Sequence, residues 1–388
     1  MLEIKARQGL EKVEEYKVET VPNANIVVNA NESNWNLPKD ILLQVQHKTQ
    51  EFVFNRYPPM GTGNLGEVLA ADLQVDPDKI IIGNGSSELL EKACFAFGGA
   101  GRKIAFPSPS FSMYGVYAQM ADSISVPYAL TAEGYVDADA VIDFCAKEKP
   151  SLLIICNPNN PTGNFNSLEK MEKILNVVSC PVIMDEAYME FAQEPEAGEE
   201  ISTLSLLDKY NNFLCFRTFS KAYGLAGLRV GYGIGSGKLI SIIQKVLMPY
   251  HVNSYSLMVA QVAYENKTFF RERVQLIRSE RNKMRGELAA LGFRVFPSET
   301  NFLLFLPTEK LACKLAVYAE TKGYQFTGNN ANKAGTLIFQ ELLEQKILVR
   351  NFSGNAYLAG GIRLTMGTET ENVKVLAAIK EICKNAEE

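Results

Sequence analysis

Phe213-Leu-Cys-Phe-Arg217 runs directly into Thr218-Phe-Ser-Lys-Ala-Tyr-Gly-Leu-Ala-Gly-Leu-Arg229. The first part has the apolar continuity of a strand covered on both faces. The second gathers two hydroxyls (Thr218, Ser220), an amine (Lys221) and a guanidinium (Arg229) around Gly224 and Gly227, which allow tight turns. Hydroxyls and a guanidinium converging on one place suit a phosphate dianion, through charge-assisted and bidentate bonds. A lysine at the mouth of such a cradle can form a Schiff base with an aldehyde. Alone, a lysine in a polar loop is more often a solvated surface residue. The whole stretch from 217 to 229 favours the chemical reading.

The same unit, an apolar run ending in a polar turn, recurs along the chain. Lys79–Ile82, Lys103–Phe106, Ser123–Val126, Ser151–Cys156, Pro181–Met184 and Arg229–Ile234 read as further strands. Helical patterns lie between them at Ser87–Phe97, Phe111–Gln119, Asp137–Lys147, Ser167–Val178, Thr203–Tyr210 and Gly237–Val246. This alternation predicts an α/β fold, three layers (α/β/α) around a mostly parallel sheet. The carboxyl ends of its strands then share one edge, where open sheets bind ligands.

After Tyr255 the pattern changes. A helical stretch rich in Arg and Glu runs to about Leu291, followed by strands at Phe293–Phe296, Phe302–Leu306, Ile347–Val349 and Ile362–Thr365. Helices are expected near Leu311–Lys322 and Glu371–Cys383, and the polar Gly323–Thr336 reads as a loop or mobile insertion. The expected division is a large α/β domain over 45–285 and a smaller α+β domain built from 1–44 together with 286–388.

Three more turns fall at expected strand ends. Cys156-Asn-Pro-Asn-Asn-Pro-Thr-Gly163 contains two Asn-Pro steps that force an extended, tightly turned backbone and can hold an amide toward the cleft. Met184-Asp-Glu-Ala-Tyr188 offers carboxylates that could bind metal, cap a helix or face a pyridinium nitrogen, with a phenol three residues on. Ile82-Gly-Asn-Gly-Ser-Ser-Glu-Leu-Leu90 opens a helix with free backbone N–H groups, an anion site. Phe111 is a candidate planar surface for an aromatic ring, although an isolated phenylalanine is more often core.

Composition removes several alternatives. The 388 residues are 47% hydrophobic with a formal net charge of −5, which argues against nucleic acid as a partner. Two histidines, His47 and His251, leave little material for histidine triads or multi-histidine metal sites, and no metal is expected. Seven scattered cysteines without a C-x-x-C pair fit a reducing, cytoplasmic setting. No apolar run is long enough to span a membrane, and the first nineteen residues are charged throughout, unlike a signal peptide.

Taken together, these motifs resemble those of the fold-type I, class I/II aminotransferases that depend on pyridoxal 5'-phosphate, and among them the histidinol-phosphate aminotransferases. The resemblance covers nearly the whole chain. It extends to Asn29-Ala-Asn-Glu32, Arg56-Tyr-Pro58, Ile347-Leu-Val-Arg350 and Gly361-Ile-Arg-Leu-Thr365.

The resemblance implies that Lys221 is the Schiff-base lysine and proton shuttle, and that Asp185 pairs with the pyridine nitrogen. Asn160 and Tyr188 would bond the phenolic oxygen, and Phe111 would stack on the ring where many relatives have tyrosine. Gly85, Ser86, Ser87, Thr218, Ser220 and Arg229 would hold the phosphate, with Tyr57 reaching across a homodimer to its partner's phosphate. Asn31 and Asn160 would border the substrate, whose anionic groups Arg350 and Arg363 would bind. The activity implied is transamination between histidinol phosphate, a small-molecule amino donor, and a 2-oxo acid, 2-oxoglutarate. An aromatic or other amino donor is the alternative within the family, a decarboxylase or C–S lyase the alternative on the same fold. A non-catalytic ligand-sensing domain would need a DNA-binding module, for which the acidic N-terminus offers neither helix-turn-helix length nor a net basic charge. Ser33 stands where relatives commonly carry proline, and the chain is longer than usual between Leu311 and Ile347.

Overall fold

The computed structural model describes residues 24–192 and 201–387. The charged N-terminal stretch, and with it residues 1–23 of the expected small domain, lies outside the described residues. Seven strands form one sheet in the spatial order Ile80–Gly83, Gly231–Gly235, Phe213–Thr218, Val182–Asp185, Leu152–Cys156, Lys103–Ser108 and Ile124–Ala129. Gly231–Gly235 is antiparallel to both its neighbours, and the other pairings are parallel. The mostly parallel sheet expected from the alternation is therefore present, with one reversed strand.

Successive side chains of a strand point to opposite layers. Ile154, Ile183, Leu214 and Phe216 pack with the helices Gly85–Phe97, Met113–Met120 and Gly237–Gln244. Leu153, Ile155, Val182, Met184 and Phe213 pack on the other face with Ala138–Glu148 and Leu168–Val177. Each such side chain contributes roughly 1.5–3 kcal/mol by leaving water, so strands apolar at every position are stable only when covered on both sides.

The C-terminal part carries a second, antiparallel sheet in the order Arg350–Asn351, Ile362–Thr365, Phe302–Pro307 and Phe293–Val295. Ile26–Val27 pairs in parallel with Ile347–Leu348, which anchors the first described residues beside this sheet. One apolar cluster containing Ile26, Leu65, Phe219, Tyr264, Phe302 and Leu337 joins the two parts.

Several elements differ from expectation. The stretch after Tyr255 is two helices, Ser254–Glu265 and Lys267–Ala290. Asn266 separates them, its side-chain amide donating to the Val262 carbonyl at 2.8 Å and so capping the first helix. Thr203–Tyr210 yields only the 3₁₀ turn Thr203–Leu206.

Gly323–Thr336 is not a loop throughout, because a helix runs over Asn330–Glu344. Its start is a reciprocal cap between Asn329 and Asn332, and it buries Ala334, Leu337, Ile338 and Leu342 at helical spacing. Gly335, which makes the segment look loop-like, is required by packing: a Cβ there would lie 2.6 Å from the Gly360 backbone. Lys39–Gln50 and Gly63–Leu73 are helices with no counterpart among the expected elements. Lys39–Gln50 buries only Ile41 and Val45, too few apolar positions to show a period.

Candidate active site

The four polar turns meet at the carboxyl edge of the large sheet, and the second sheet closes the opposite side. Between them lies a cavity of about 520 Å³. Its wall includes Asn31, Ser86, Ser87, Phe111, Asn160, Asp185, Tyr188, Thr218, Ser220, Lys221, Arg229, Arg350 and Arg363. The reversed strand explains how Arg229 reaches this edge. Gly231–Gly235 runs against its neighbours, so its beginning, not its end, lies beside the carboxyl end of Phe213–Thr218.

Backbone constraints hold the anion cradle together. Gly85 has φ +75°, and a Cβ on it would sit 2.7 Å from the Arg229 guanidinium. A Cβ on Gly231 would lie 2.2 Å from the Ser86 nitrogen, so the strand packs against the turn only because both positions are bare. Arg229 itself has φ 54°, and its Nη1 donates to the Ser220 hydroxyl at 3.4 Å. The helix Gly85–Phe97 presents its N-terminal amides at the same place.

Lys221 is half-buried, with its amine donating to the Ala30 carbonyl at 3.0 Å. Burial, seconded by the guanidiniums of Arg363 and Arg229 and opposed by Glu32, pulls it down to about 8. A neutral fraction is therefore available near physiological pH, which a nucleophile or base requires.

Asp185 is buried, and desolvation pushes its carboxyl up to about 6 against the bonds that favour its ionised form. Those bonds come from the Ala187 amide (3.2 Å, to Oδ1) and from the Tyr114 hydroxyl (2.7 Å, to Oδ2). The adjacent Glu186 has a different task. It accepts from Ser202, from the Thr203 amide and hydroxyl, and from Arg217 at 2.9 Å, a fully satisfied buried ion pair.

On the opposite wall Arg363 donates to the Asn160 side-chain oxygen and to the Asn29 carbonyl, both at 2.6 Å. This leaves the Asn160 amide nitrogen as the group's available donor. Asn31 donates to the Tyr188 hydroxyl at 2.8 Å, so that hydroxyl's own proton can go elsewhere. Arg350 and Arg363 are cross-strand partners, and both line the cavity. Like charges directly opposite each other on a sheet destabilise it unless an anion lies between them.

Two expected site residues are not on the cavity wall: Gly85, which lies against the Arg229 guanidinium, and Tyr57. Tyr57 does not line this cavity; it is 82% exposed and stacks on Tyr250 with ring centroids 4.7 Å apart. Conversely, Tyr114, Ser110 and Phe352 line the cavity without having been singled out from sequence. Tyr114 lies three residues beyond Phe111, its backbone N–H donating to the Phe111 carbonyl at 3.2 Å across the turn that precedes the helix, and this spacing of two aromatic residues was the available signal.

The family description "Aminotransferase class I and II" matches residues 24–379. The histidinol-phosphate aminotransferase of Thermoanaerobacter pseudethanolicus is 33% identical over 383 residues, covering 98% of this chain and 99% of that one. Histidinol-phosphate aminotransferase 1 of Carboxydothermus hydrogenoformans is 35% identical over 357 residues, 92% of this chain and 93% of its own. In structure, the histidinol-phosphate aminotransferase of Sinorhizobium meliloti, solved in complex with pyridoxal-5'-phosphate, superposes with a TM-score of 0.82 at 21% identity, covering 98% of each chain.

Proposed function

The chain belongs to the class I and II aminotransferases, and from that premise we propose that it transfers an amino group between histidinol phosphate and 2-oxoglutarate in L-histidine synthesis, using pyridoxal 5'-phosphate. The observation that carries the donor assignment is the facing pair Arg350 and Arg363 at a cavity that already has a separate anion cradle at Arg229. Two anion sites fit a phosphorylated cofactor together with an anionic substrate group.

The residues present suit that cofactor. The space a Gly85 Cβ would fill is bounded by the Arg229 guanidinium, and Ser86, Ser87, Thr218 and Ser220 line the same cavity as Arg229. These groups would hold the phosphate; Lys221 would engage the aldehyde, Asp185 the ring nitrogen, Asn160 and Tyr188 the phenolic oxygen, and Phe111 the ring face. Bound there, pyridoxal phosphate supplies an electron sink that acidifies the donor's Cα proton. Lys221, with its lowered affinity for protons, takes that proton and later returns it as an acid. Asp185 keeps a proton on the ring nitrogen by its charge. Arg363 and Arg350 orient the donor through its anionic group, and Phe352 and Phe111 keep water from the apolar side of the cavity.

Two outcomes test this reading. With 2-oxoglutarate as acceptor and glutamate release as readout, histidinol phosphate turns over faster than phenylalanine or tyrosine. Arg350→Ala raises KM for histidinol phosphate about 100-fold while changing kcat little, as expected for a charge-assisted contact that merely binds. Preference for the aromatic donors would move the chain to the aromatic branch, which the phenylalanines on the cavity wall keep as a second reading. For the cradle, Gly85→Ala weakens pyridoxal phosphate binding at least about tenfold, since the added methyl strains the backbone and displaces Arg229. An unchanged dissociation constant would remove that turn from the phosphate site.

The homodimer belongs to the same proposal. Val53, Phe54, Tyr57, Met60, Met248 and Tyr250 are exposed apolar side chains from two neighbouring segments, and Tyr57 does not line its own chain's cavity. Covering this patch with a second copy would place Tyr57 at the partner's phosphate. None of the seven cysteines is in a disulfide and no helix among the described residues is long and apolar enough to cross a membrane, in keeping with the cytoplasmic location we propose.

A further inference from the structure

In the cavity wall, Tyr114 makes two contacts beyond its part in the lining. Its hydroxyl donates to Asp185 Oδ2 at 2.7 Å, and the residue is entirely buried. Its ring meets that of Phe111 edge to face, with centroids 5.5 Å apart and planes at 86°. The helix Met113–Met120 that carries it is anchored by Tyr117 and Ala118 in the apolar layer beneath the sheet, so the hydroxyl has little freedom to move. Asp185, by contrast, hangs at the very end of its strand, with one further bond from the Ala187 amide.

We infer that Tyr114 is a positioning residue, whose hydroxyl holds the Asp185 carboxylate ionised and aimed into the cavity while its ring supports Phe111 from the edge. A single side chain thereby fixes the relative placement of the two surfaces between which a planar heteroaromatic ring would lie. The hydrogen bond favours the charged carboxylate and opposes the burial that raises it. Losing the hydroxyl leaves Asp185 with a stronger preference for its proton, and a protonated carboxyl cannot pair with a protonated ring nitrogen.

The test begins with cofactor-free protein, where it is independent of the proposed reaction. The groups facing this pair are Cys156, Tyr117, Tyr188 and Glu186. Burial pushes Cys156 and Tyr117 up to about 12 and Tyr188 up as well, and Glu186 is bonded to Arg217. Asp185, raised to about 6, titrates between pH 5 and pH 8. Tyr114→Phe keeps the ring and removes only the hydroxyl. Its melting temperature relative to the parent falls further at pH 8 than at pH 5, and that pH-dependent difference disappears in the Asp185→Asn background. Equal losses at both pH values, or losses that simply add in the double variant, overturn the inference.

A second arm uses pyridoxal phosphate itself and rests on the cofactor reading. Tyr114→Phe raises its dissociation constant about tenfold and moves the pH midpoint of the bound cofactor's long-wavelength absorbance. Tyr114→Leu, which also removes the edge contact, weakens binding further. A Tyr114→Phe protein with parental affinity and midpoint sinks the positioning role. A parent protein that takes up no cofactor sinks the earlier reading, and the melting experiment still decides this one.

Discussion

Lys221→Ala abolishes transamination, lowering kcat/KM on the order of 10⁴-fold or more, and the protein no longer yields a borohydride-reduced adduct with pyridoxal phosphate at that position. The size follows from the two tasks of one amine: covalent engagement of the aldehyde and proton transfer at Cα, each a substantial contribution. No neighbouring group can substitute, because the other cations on the cavity wall are arginines, which do not give up protons near neutrality. A stability measurement accompanies the kinetic one. The amine's folded value of about 8 lies below its ordinary 10.5, so burying it as an ammonium destabilises the cofactor-free protein. The unfolded chain binds more protons between those two values, and stability therefore rises with pH across that window. Lys221→Met keeps the stem and deletes the charge; it melts a few °C above the parent at pH 7, a gain that shrinks toward pH 10. A variant that retained parental turnover, or was less stable at pH 7, would contradict this account of the lysine.

How far the sequence could be read depended on whether a signal was local. The strand Phe213–Thr218 and its turn are visible because apolar continuity and turn chemistry lie within one short segment. All the residues expected to hold the cofactor, apart from Tyr57 and Gly85, line one cavity, because each sits at a strand end and the topology brings those ends together. What stayed hidden is long-range. Tyr114 gains its meaning from Asp185, seventy-one positions away, and the pairing of Arg350 with Arg363 depends on a register that no local pattern encodes. The direction of Gly231–Gly235, and hence the route by which Arg229 reaches the cradle, is equally a property of the assembled sheet. The helix Asn330–Glu344 was hidden for a different reason: Gly335 reads as a breaker until the Gly360 backbone is seen against it. Residue chemistry could be placed on the chain; contacts between distant segments could not.

Asp185→Asn separates function from stability in opposite directions. In the reaction, the carboxylate's charge is what keeps the ring nitrogen protonated, and a neutral amide of the same shape cannot do so. The expected loss is about 10³-fold in kcat/KM, comparable to removal of a principal electrostatic contact in a buried site. Without cofactor the sign reverses. The carboxyl is pushed from an ordinary 3.8 up to about 6 by burial, so the folded protein binds more protons than the unfolded chain between those values, and stability falls as pH rises through that window. Above pH 6 the buried charge destabilises the fold by on the order of 3 kcal/mol at most. The substituted amide would accept the Tyr114 bond without that charge, so the cofactor-free variant melts several °C above the parent at pH 8 and loses the advantage below pH 4. With saturating pyridoxal phosphate the order inverts, because the parent gains more from a ligand it binds more tightly. Thermal melts at two pH values, with and without cofactor, check all three signs at once. A variant less stable than the parent at pH 8 in the cofactor-free state would show that the Asp185 carboxylate is held by more than the bonds described, and an inversion that failed to occur would remove it from the cofactor's contacts.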